Sequence, residues 1–320
     1  MRAITITDDH RLELTELEEP TPREGEVLVD VVAAGVNRAD LAQAAGAYPP
    51  PPGASTLPGL EVSGRRRDTG EEVVALLAGG GYAEVVAAPK AQILPAPPSL
   101  SLADAGGLIE VAATVVSNLV IEAGLHTAPA HSSGTARQTV LIHGGTGGIG
   151  SFAIQFARAM GARVLTTVGS DDAVASVTAL GAHHAWNRHD TDISREVSSL
   201  GGADIILDVV GGDTLNHNVS MLREFGRLAI IGTLAGDSGE LNIGALMAKR
   251  ARIIGTTLRS RAPWDKERIL HKTHELVWPL MADGSIRLPI HAHLPLRRAT
   301  EAHEILARGG HVGKVILDVS

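Results

Sequence analysis

The stretch TVLIHGGTGGIGSFAIQFARAMGARVLTTVGS, residues 139–170, specifies the fold because it alternates strand, glycine turn, helix and strand. Its glycines follow the spacing Gly145-x-Gly147-x-x-Gly150. Glycine lets the backbone approach a pyrophosphate closely, and the helix N-terminus that follows supplies N–H donors and positive potential. A lone GxGxxG is weak evidence, but a complete βαβ context predicts a dinucleotide site.

The helix within this stretch and the strands after it follow the same alternation. In SFAIQFARAMGA the large residues Phe152, Phe156 and Met160 recur every four positions on one helix face, and Gly161 is suited to end the helix. The continuously apolar runs ADIILDVV, GRLAIIG and ARIIGTT suit strands covered on both faces. We predict a doubly wound parallel sheet for this part of the chain.

The flanking regions have a different pattern. Residues 1–100 contain short β-branched runs separated by Gly, Pro and acidic residues, which predicts a β-rich region. Arg65–Arg67 precedes DTGEEVV and is typical of the solvated side of a tight hairpin. After residue 260 the sequence predicts helices over KERILHKTHELVWPLMADG and RRATEAHEILARGG, and then a strand, KVILDV. The polar segment 126–138 is predicted to be a surface loop.

Composition limits the function classes. The 320 residues include no cysteine, which excludes disulfides, thiolate metal sites and cysteine nucleophiles. A net charge of −8 argues against nucleic acid, and no apolar run predicts a membrane segment, so we expect a cytoplasmic protein. The neighbouring histidines His183 and His184, and the pair His291 and His293, lack an acidic ligand at convincing spacing, so no metal site is predicted.

The end of the second strand of the βαβ unit bears on the choice of dinucleotide. NAD enzymes usually place an acidic residue there, but this chain has Gly169 and Ser170, which leave room and a hydroxyl for a 2′-phosphate. Arg188 is a candidate counter-charge. Asp171 and Asp172 either cap the next helix or repel a phosphate. NADPH is therefore favoured, with NADH as the alternative.

Several motifs in order resemble one family: AAGVNRADLAQAAGAYPPPPGAS, LPGLEVSG, ALLAGGGYAEVV, TVVSNLV, LIHGGTGGIGSFAIQFARAMGA, DVVGGDTLNHNV, GTTLRSR and AHEILARGGHVGKVIL. They resemble the zinc-free quinone oxidoreductases of the medium-chain dehydrogenase/reductase superfamily, above all the p53-inducible group. The resemblance implies an α/β protein in which a GroES-like β-rich catalytic domain is joined to a Rossmann domain. It implies the domain ranges 1–115 and 260–320 for the catalytic part and 116–259 for the Rossmann part, with binding in the cleft between them.

The resemblance also assigns site residues. Asn37, Tyr48 and Thr114 are expected near the nicotinamide. The other expected cofactor contacts are Gly144, Gly145, Thr146, Gly147, Gly148 and Ile149 at the pyrophosphate, Gly169, Ser170 and Arg188 at the 2′-phosphate, Val210, Gly211, Gly232 and Thr233 at strand ends, and Leu258, Arg259 and Lys314 closing over the cofactor.

The sequence departs from the family pattern at several places. Ala173 stands where a lysine is common, which weakens the case for NADPH, and Arg188 stands where tyrosine is common and compensates. The hairpin between Gly64 and Val73 is predicted to be short and the loop 126–138 long.

The residues at the expected zinc positions indicate the reaction. Zinc dehydrogenases of the superfamily use a cysteine near position 37 and a histidine in a GHE segment, where this chain has Asn37 and Leu60. Quinones and conjugated enones accept hydride without a strong Lewis acid, so a hydrogen-bond donor suffices. Tyr48, ahead of Pro49–Pro52, supplies such a donor, and Asn37 can orient the nicotinamide ribose or a substrate oxygen. The alternative for Tyr48 is packing on the proline turn. Tyr82 is expected to pack, with a role in the cleft as the alternative.

Other functions stay open at this point. One is an enoyl reductase of a biosynthetic pathway, and another is a cofactor-binding protein with little turnover, including RNA binding of the kind related zeta-crystallins suggest. The acidic composition disfavours nucleic acid. By resemblance, a homodimer is expected through the edge strand ARIIGTT.

Overall fold

The computed structural model describes residues 1–127 and 137–319. Most of the predicted loop 126–138 therefore lies outside the described residues. The strands are β1 Arg2–Ile6, β2 Leu12–Glu16, β3 Glu26–Gly35, β4 Glu61–Arg66, β5 Glu72–Leu76, β6 Val85–Pro89, β7 Ile93–Pro95, β8 Thr139–His143, β9 Arg163–Val168, β10 His184–Asn187, β11 Ala203–Asp208, β12 Leu222–Ile230, β13 Arg252–Gly255, β14 Ile290–Pro295 and β15 Lys314–Asp318.

Helices connect many of these strands. The α-helices are α1 Arg38–Ala44, α2 Leu102–Ala105, α3 Ile109–Val115, α4 Gly148–Ala159, α5 Asp171–Ala179, α6 Ile193–Ser199, α7 Leu215–Met221, α8 Ile243–Ala248, α9 Pro263–Ala282 and α10 Ala299–Arg308, and a π-helix at Val116–Glu122 continues α3. None of these helices, in the parts of the chain that are described, has the length and apolar character needed to cross a bilayer.

Two compact units account for the chain. Unit 1 comprises Met1–Ala113, Leu258–Gly284 and Leu288–Ser320, and unit 2 comprises Thr114–Thr257 and Ser285–Arg287. The domain boundaries implied by the resemblance, after residues 115 and 259, stay predictions.

Unit 2 is built on a parallel six-stranded sheet in the order β10-β9-β8-β11-β12-β13. Each pair is parallel, and β8 is buried along its whole length, as its continuous apolar sequence predicts. Strand order reverses between β8 and β11, which makes the carboxyl ends of these two strands the expected ligand site of a doubly wound sheet. The predicted fold class, an α/β protein with a parallel-sheet domain and a β-rich domain, is confirmed.

The helix predicted after the glycine turn is α4. Phe152, Phe156 and Met160 are all buried, as expected for its inward face. Gly161 follows the helix with a φ of +85°, a left-handed conformation that glycine adopts at little cost. Burying two phenylalanines fixes α4, and with it the glycine loop that precedes it, against the sheet.

Unit 1 contains a mixed sheet in the order β14-β15-β3-β4-β5-β7, with β6 also pairing β3. The β14–β15 pair is parallel and the other pairs are antiparallel. Its core includes Val29, Val62 and Leu317, so strands from both ends of the sequence share it. The β4–β5 hairpin turns tightly: the N–H of Gly70 donates to the carbonyl of Arg66 at 2.8 Å. Arg65 and Arg66 pair with acidic residues of the same hairpin, which confirms the solvated-hairpin prediction.

Candidate active site

In the glycine loop of unit 2, some glycines are needed for close packing and another leaves the backbone accessible to a ligand. A Cβ on Gly145 would lie 2.3 Å from Thr166 Oγ1, and one on Gly150 would lie 2.2 Å from the carbonyl of Gly144. A Cβ on Gly147 would meet no atom closer than 3.7 Å. Two glycines therefore let the helix approach the sheet, and the third keeps one side of the loop open, as a cradle for a pyrophosphate requires.

The start of α4 supplies donors at the same place. The helix begins at Gly148, so the amides of Gly148 and Ile149 belong to the first turn, which has no intrahelical acceptors. Thr146 lies on the turn ahead of them. The predicted pyrophosphate residues thus form one open loop at a helix N-terminus, and this arrangement fits a dinucleotide.

The predicted 2′-phosphate residues come together at the end of β9. A Cβ built on Gly169 would lie 3.2 Å from Nη1 of Arg188, so the guanidinium lies against that glycine. Ser170 caps α5, its side chain accepting from the N–H of Ala173 at 3.4 Å. Asp171 accepts from Asn187 Nδ2 at 3.1 Å. The carboxylate of Asp171 is thus held by a side chain of β10, while Arg188 is exposed.

The loops after β11 and β12 contact each other and the glycine loop, which follows β8. The Cβ position of Gly144 lies 3.1 Å from Val209 Cγ2, and that of Gly211 lies 3.1 Å from Cα of Thr233. The Cβ position of Gly232 lies 3.0 Å from the carbonyl of Val209. The residues predicted after these strands, including Val210, are therefore neighbours in unit 2, at the carboxyl edge of its sheet.

A buried polar network supports these loops, and the sequence analysis missed it. His143 Nδ1 lies 2.9 Å from Thr167 Oγ1, and its Nε2 lies 2.8 Å from Asn218 Oδ1. Asn218 Nδ2 donates to Asp208, which also accepts from the N–H of Val210 at 2.7 Å.

These hydrogen bonds fix the protonation state of His143. An amide oxygen only accepts, so His143 carries its proton on Nε2. Burial lowers the pKa of His143, which favours this neutral form although Asp208 opposes the shift. Three polar side chains at the ends of neighbouring parallel strands are the sequence signal that could have indicated the network.

Thr114 begins unit 2 and is buried just ahead of the π-helix. Asn118 Nδ2 donates to the carbonyl of Thr114 at 2.9 Å, and Thr256 Oγ1 donates to Asn118 Oδ1 at 2.6 Å. The Asn118 amide therefore ties the residues after β13 to the start of the π-helix. Local π-helical turns are common at functional sites.

In unit 1, Asn37 belongs to a buried charged cluster with Glu61 and Lys314. Lys314 Nζ donates to Glu61 Oε1 at 2.7 Å, to Asn37 Oδ1 at 2.6 Å and to the carbonyl of Val36 at 3.0 Å. The Glu61 side chain is 0% exposed and that of Lys314 is 3% exposed. Gly35 makes room for the carboxylate, since a Cβ there would lie 2.3 Å from Glu61 Oε1.

The cluster determines how Asn37 can bind. An ammonium only donates and a carboxylate only accepts, so Oδ1 of Asn37 must face Lys314 and Nδ2 must face Glu61, at 3.0 Å. Nδ2 also donates to the carbonyl of Gly35 at 3.3 Å. Both amide protons are therefore engaged, and the remaining capacity of Asn37 is an acceptor lone pair. It suits a ribose hydroxyl and does not suit a substrate carbonyl.

Tyr48 and Arg259 lie together in the same unit. Nη1 of Arg259 donates to the carbonyl of Tyr48 at 3.1 Å, and the guanidinium carbon lies 5.2 Å from the centre of the phenol ring. Burial raises the pKa of Tyr48, and the Arg259 charge acts against this rise. Leu258 and Arg259 also line a small cavity that includes Leu60 and Lys266.

Tyr82, predicted to pack, is completely buried. Its hydroxyl donates to Asp40 Oδ2 at 3.1 Å, and Asp40 also accepts from the backbone N–H of Asn37 at 2.8 Å and of Gly59 at 3.1 Å. Burial raises the pKa of Asp40 to about 6 against these hydrogen bonds. The packing role of Tyr82 is confirmed.

Acidic and histidine side chains are the remaining metal ligands available to a chain without cysteine. Across residues 1–127 and 137–319, no three His, Asp or Glu side chains form a group that could hold a metal ion. His293 does have acidic neighbours, contrary to expectation: its ring nitrogens lie 2.8 Å from Asp318 and 3.0 Å from Asp104. These residues are far apart in sequence, so no spacing indicated the contact.

Comparisons with known proteins agree with this architecture. The family described as alcohol dehydrogenase GroES-like domain matches residues 23–98, and the zinc-binding dehydrogenase family matches residues 148–272. Quinone oxidoreductase of Mus musculus is 30% identical, over 99% of this chain and 97% of its own length. A segment covering 14% of a phenolphthiocerol/phthiocerol polyketide synthase of Mycobacterium tuberculosis is 27% identical over 96% of this chain.

A solved structure extends the likeness to three dimensions. The quinone oxidoreductase of Thermus thermophilus, described with its NADPH complex, is 29% identical with a TM-score of 0.82, over 100% of both chains. A GroES-like unit with a glycine-loop parallel sheet defines an oxidoreductase of the medium-chain dehydrogenase/reductase class. Within that class, the full-length identity to the mouse enzyme shows that the chain belongs to the quinone oxidoreductase family. Its placement near the p53-inducible group stays a prediction.

Proposed function

We propose that the protein is an NADPH-dependent reductase that delivers hydride to a quinone or an α,β-unsaturated carbonyl without zinc. The observation that carries the cofactor part is the exposed guanidinium of Arg188 against Gly169, next to Ser170, at the end of β9. A glycine there leaves space for a 2′-phosphate, and arginine binds phosphate in a charge-assisted, bidentate way. Asn187 holds the Asp171 carboxylate by a hydrogen bond that leaves its negative charge in place, so in this proposal the cation of Arg188 outweighs Asp171 and Asp172.

The bound NADPH would supply a hydride, and the protein must supply position, charge stabilisation and a proton. In this proposal the open glycine loop and the first turn of α4 hold the pyrophosphate, and Thr114, Gly232 and Thr233 belong to the same binding surface. Asn37 accepts a hydrogen bond from a nicotinamide ribose hydroxyl. Tyr48 donates its phenolic hydrogen bond, and then its proton, to the substrate oxygen on which negative charge develops.

The residues at the zinc positions support an acceptor of this class. Asn37 and Leu60 offer no thiolate or imidazole, and the neighbouring cation, Lys314, is engaged by Glu61. A conjugated acceptor spreads the incoming negative charge through its π system, so one hydrogen-bond donor is sufficient. A simple aldehyde would leave a localised alkoxide, for which one phenol is a weak stabiliser.

The test is oxidation of NADPH, and separately of NADH, in the presence of a simple quinone, a conjugated enone and an enoyl thioester. We expect turnover with the quinone, faster with NADPH, and loss of most of the rate in Tyr48→Phe. A preference for NADH would contradict the Arg188 site, and full activity in Tyr48→Phe would contradict the proton donor.

A second candidate follows from the polyketide synthase relative. An enoyl reductase would use the same cofactor surface and would reduce an acyl thioester in place of a free quinone. In the same assay, turnover on the enoyl thioester alone would favour this candidate. Tight NADPH binding without turnover on any acceptor would favour a cofactor-binding protein.

We also propose that the protein is a homodimer. Strand β13 is the last in the order of the unit 2 sheet, and Ile243 and Met247 on α8, just ahead of it in the chain, are 63% and 70% exposed. An edge strand beside exposed apolar side chains favours pairing with a second copy. Light scattering should give twice the monomer mass, and Ile254→Pro, which disrupts the edge strand, should lower it.

A further inference from the structure

Arg259 is fastened to three separate segments of unit 1. Its Nε donates to the carbonyl of Ala78 at 2.8 Å, its Nη1 to the carbonyl of Tyr48 at 3.1 Å and its Nη2 to Gln43 Oε1 at 2.6 Å. The residue is 5% exposed. Each nitrogen of the planar guanidinium has its own acceptor, which a lysine ammonium at the end of a flexible chain could not reproduce.

This attachment acts directly on Tyr48. The guanidinium both holds the backbone of Tyr48 and lies 5.2 Å from its ring centre, within the range of a cation–π contact. The charged groups that act on Tyr48 are Arg259 and Glu110, and those that act on Arg259 include Lys266, in the same cavity, and Asp40. Of these, the positive charge of Arg259 favours the phenolate and the negative charge of Glu110 opposes it.

We propose that Arg259 is a positioning residue for Tyr48, which fixes the ring and stabilises the negative charge left when the phenol transfers its proton. This role differs from the cofactor contact expected for Arg259 from the family resemblance. It rests on the proposed function, because it assumes that Tyr48 protonates the reduced substrate.

The chemistry of the step balances with the groups named. Hydride from NADPH adds two electrons and a hydrogen to the acceptor, and the O–H bond of Tyr48 breaks as a new O–H bond forms on the substrate oxygen. The phenolate then faces a buried guanidinium, and it regains a proton from water before the next turnover. A fixed cation lowers the energy of that anion without any movement during the reaction.

The proposal can be tested without measuring catalysis, because the chain has only two tyrosines, Tyr48 and Tyr82. Incorporation of 3-fluorotyrosine gives two fluorine NMR signals, and Tyr48→Phe identifies them. The pH titration of the Tyr48 signal is then compared between the wild type, Arg259→Met and Arg259→Lys. Arg268→Met, which removes a positive charge from the exposed side of α9, is the matched control.

We expect Arg259→Met to move the Tyr48 titration to higher pH, with a roughly tenfold smaller acid dissociation constant. Arg259→Lys should restore part of the effect, and Arg268→Met should leave the titration unchanged. An unchanged titration in Arg259→Met would overturn the proposal. If Arg259→Met does not fold, Gln43→Met replaces it. This variant keeps the charge of Arg259 and removes the acceptor of its Nη2. An unchanged Tyr48 fluorine signal in Gln43→Met would overturn the positioning role.

Kinetics separates this inference from the proposed function. Arg259→Met should lower kcat with quinone by about tenfold, in proportion to the change in phenol acidity, and leave the KM for NADPH unchanged. In a Tyr48→Phe background it should cost nothing further in kcat. A raised KM for NADPH with unchanged kcat would instead mean a cofactor contact. A shifted titration with full activity in Tyr48→Phe would reject proton transfer by Tyr48, and with it the catalytic part of this role, and would leave only the effect of Arg259 on the acidity of the phenol.

Discussion

The glycine loop of unit 2 and the charged cluster of unit 1 are built by opposite means. The loop, residues 144–150, is contiguous, and its glycines allow close packing at Gly145 and Gly150 and leave the backbone open at Gly147. The cluster joins Asn37, Glu61 and Lys314 across up to 277 residues of sequence and works because side chains are buried and charged. In the cluster the cation of Lys314 is buried and engaged by Glu61, whereas at the edge of unit 2 the cation of Arg188 is exposed to solvent. A positive charge can therefore stabilise the fold when it is buried with a partner, or stay available for binding when it is exposed.

The greatest change is expected in the cluster. Lys314→Met leaves the Glu61 carboxylate buried without its cation, so we expect the free energy of unfolding to fall by about 3–5 kcal/mol. Urea denaturation measures this change. The double variant Glu61→Gln with Lys314→Met removes both charges and should recover a large part of the loss. A loss below about 1 kcal/mol in the single variant would mean that the pair is solvated, unlike a buried pair.

The next effect concerns the exposed cation of unit 2. Arg188→Gln should weaken NADPH binding by about 1.5–3 kcal/mol, which is roughly ten- to a hundredfold, and leave NADH binding unchanged. Fluorescence titration with both dinucleotides measures the two affinities, and stability should be unaffected because the side chain is exposed. Equal losses for NADPH and NADH would place Arg188 elsewhere on the cofactor.

A pair of glycine variants tests the division of labour within the loop. Gly150→Ala forces a Cβ against the Gly144 carbonyl, which is backbone and cannot move freely, so we expect about 1–3 kcal/mol of destabilisation. Gly147→Ala places its Cβ on the open side and should leave stability unchanged while weakening NADPH binding. Thermal unfolding and cofactor titration of both variants give the comparison. Equal destabilisation by the two variants would remove the distinction.

The weakest effect is a pH dependence in unit 1. Burial alone would lower the pKa of His293, but hydrogen bonds and charges from Asp318 and Asp104 outweigh it and raise the pKa above 6.5. The resulting stability is fully present below about pH 6.5 and is lost as pH rises through the folded value. Because all three groups are partly exposed and screened, we expect only about 0.5 kcal/mol.

The measurement compares urea unfolding of the wild type and His293→Gln across this pH range. The difference between the two should shrink as the pH rises. A difference that stays constant with pH would show that the contact is a neutral hydrogen bond.

The extent to which the sequence predicts the molecule follows the same contrast. The glycine loop, α4 and its buried face, and the parallel strands have signals within a few residues, so they are predictable. The cluster is not, because nothing near Lys314 indicates that β15 pairs with β3 beside Asn37. The resemblance associates Lys314 with the cofactor, while the structure engages its ammonium with Glu61. The His143–Asn218–Asp208 network is partly predictable, because His143 and Asp208 are polar residues at the ends of neighbouring strands, but its Asn218 lies on α7 and is joined to them only by the fold. The π-helix likewise depends on tertiary neighbours.

The ion pair of unit 1 also has a consequence for synthesis on the ribosome. Glu61 and Lys314 are 253 residues apart, and β15 lies in the sheet between β14 and β3. Unit 2 is almost contiguous, from Thr114 to Thr257, and can begin to fold while the chain is still growing. Strand β3 and the acidic Glu61, by contrast, cannot form their contacts with β15 until residue 314 has emerged. The nascent chain therefore carries an unpaired strand edge until β15 has been synthesised, and an unpaired edge of this kind can pair with other chains.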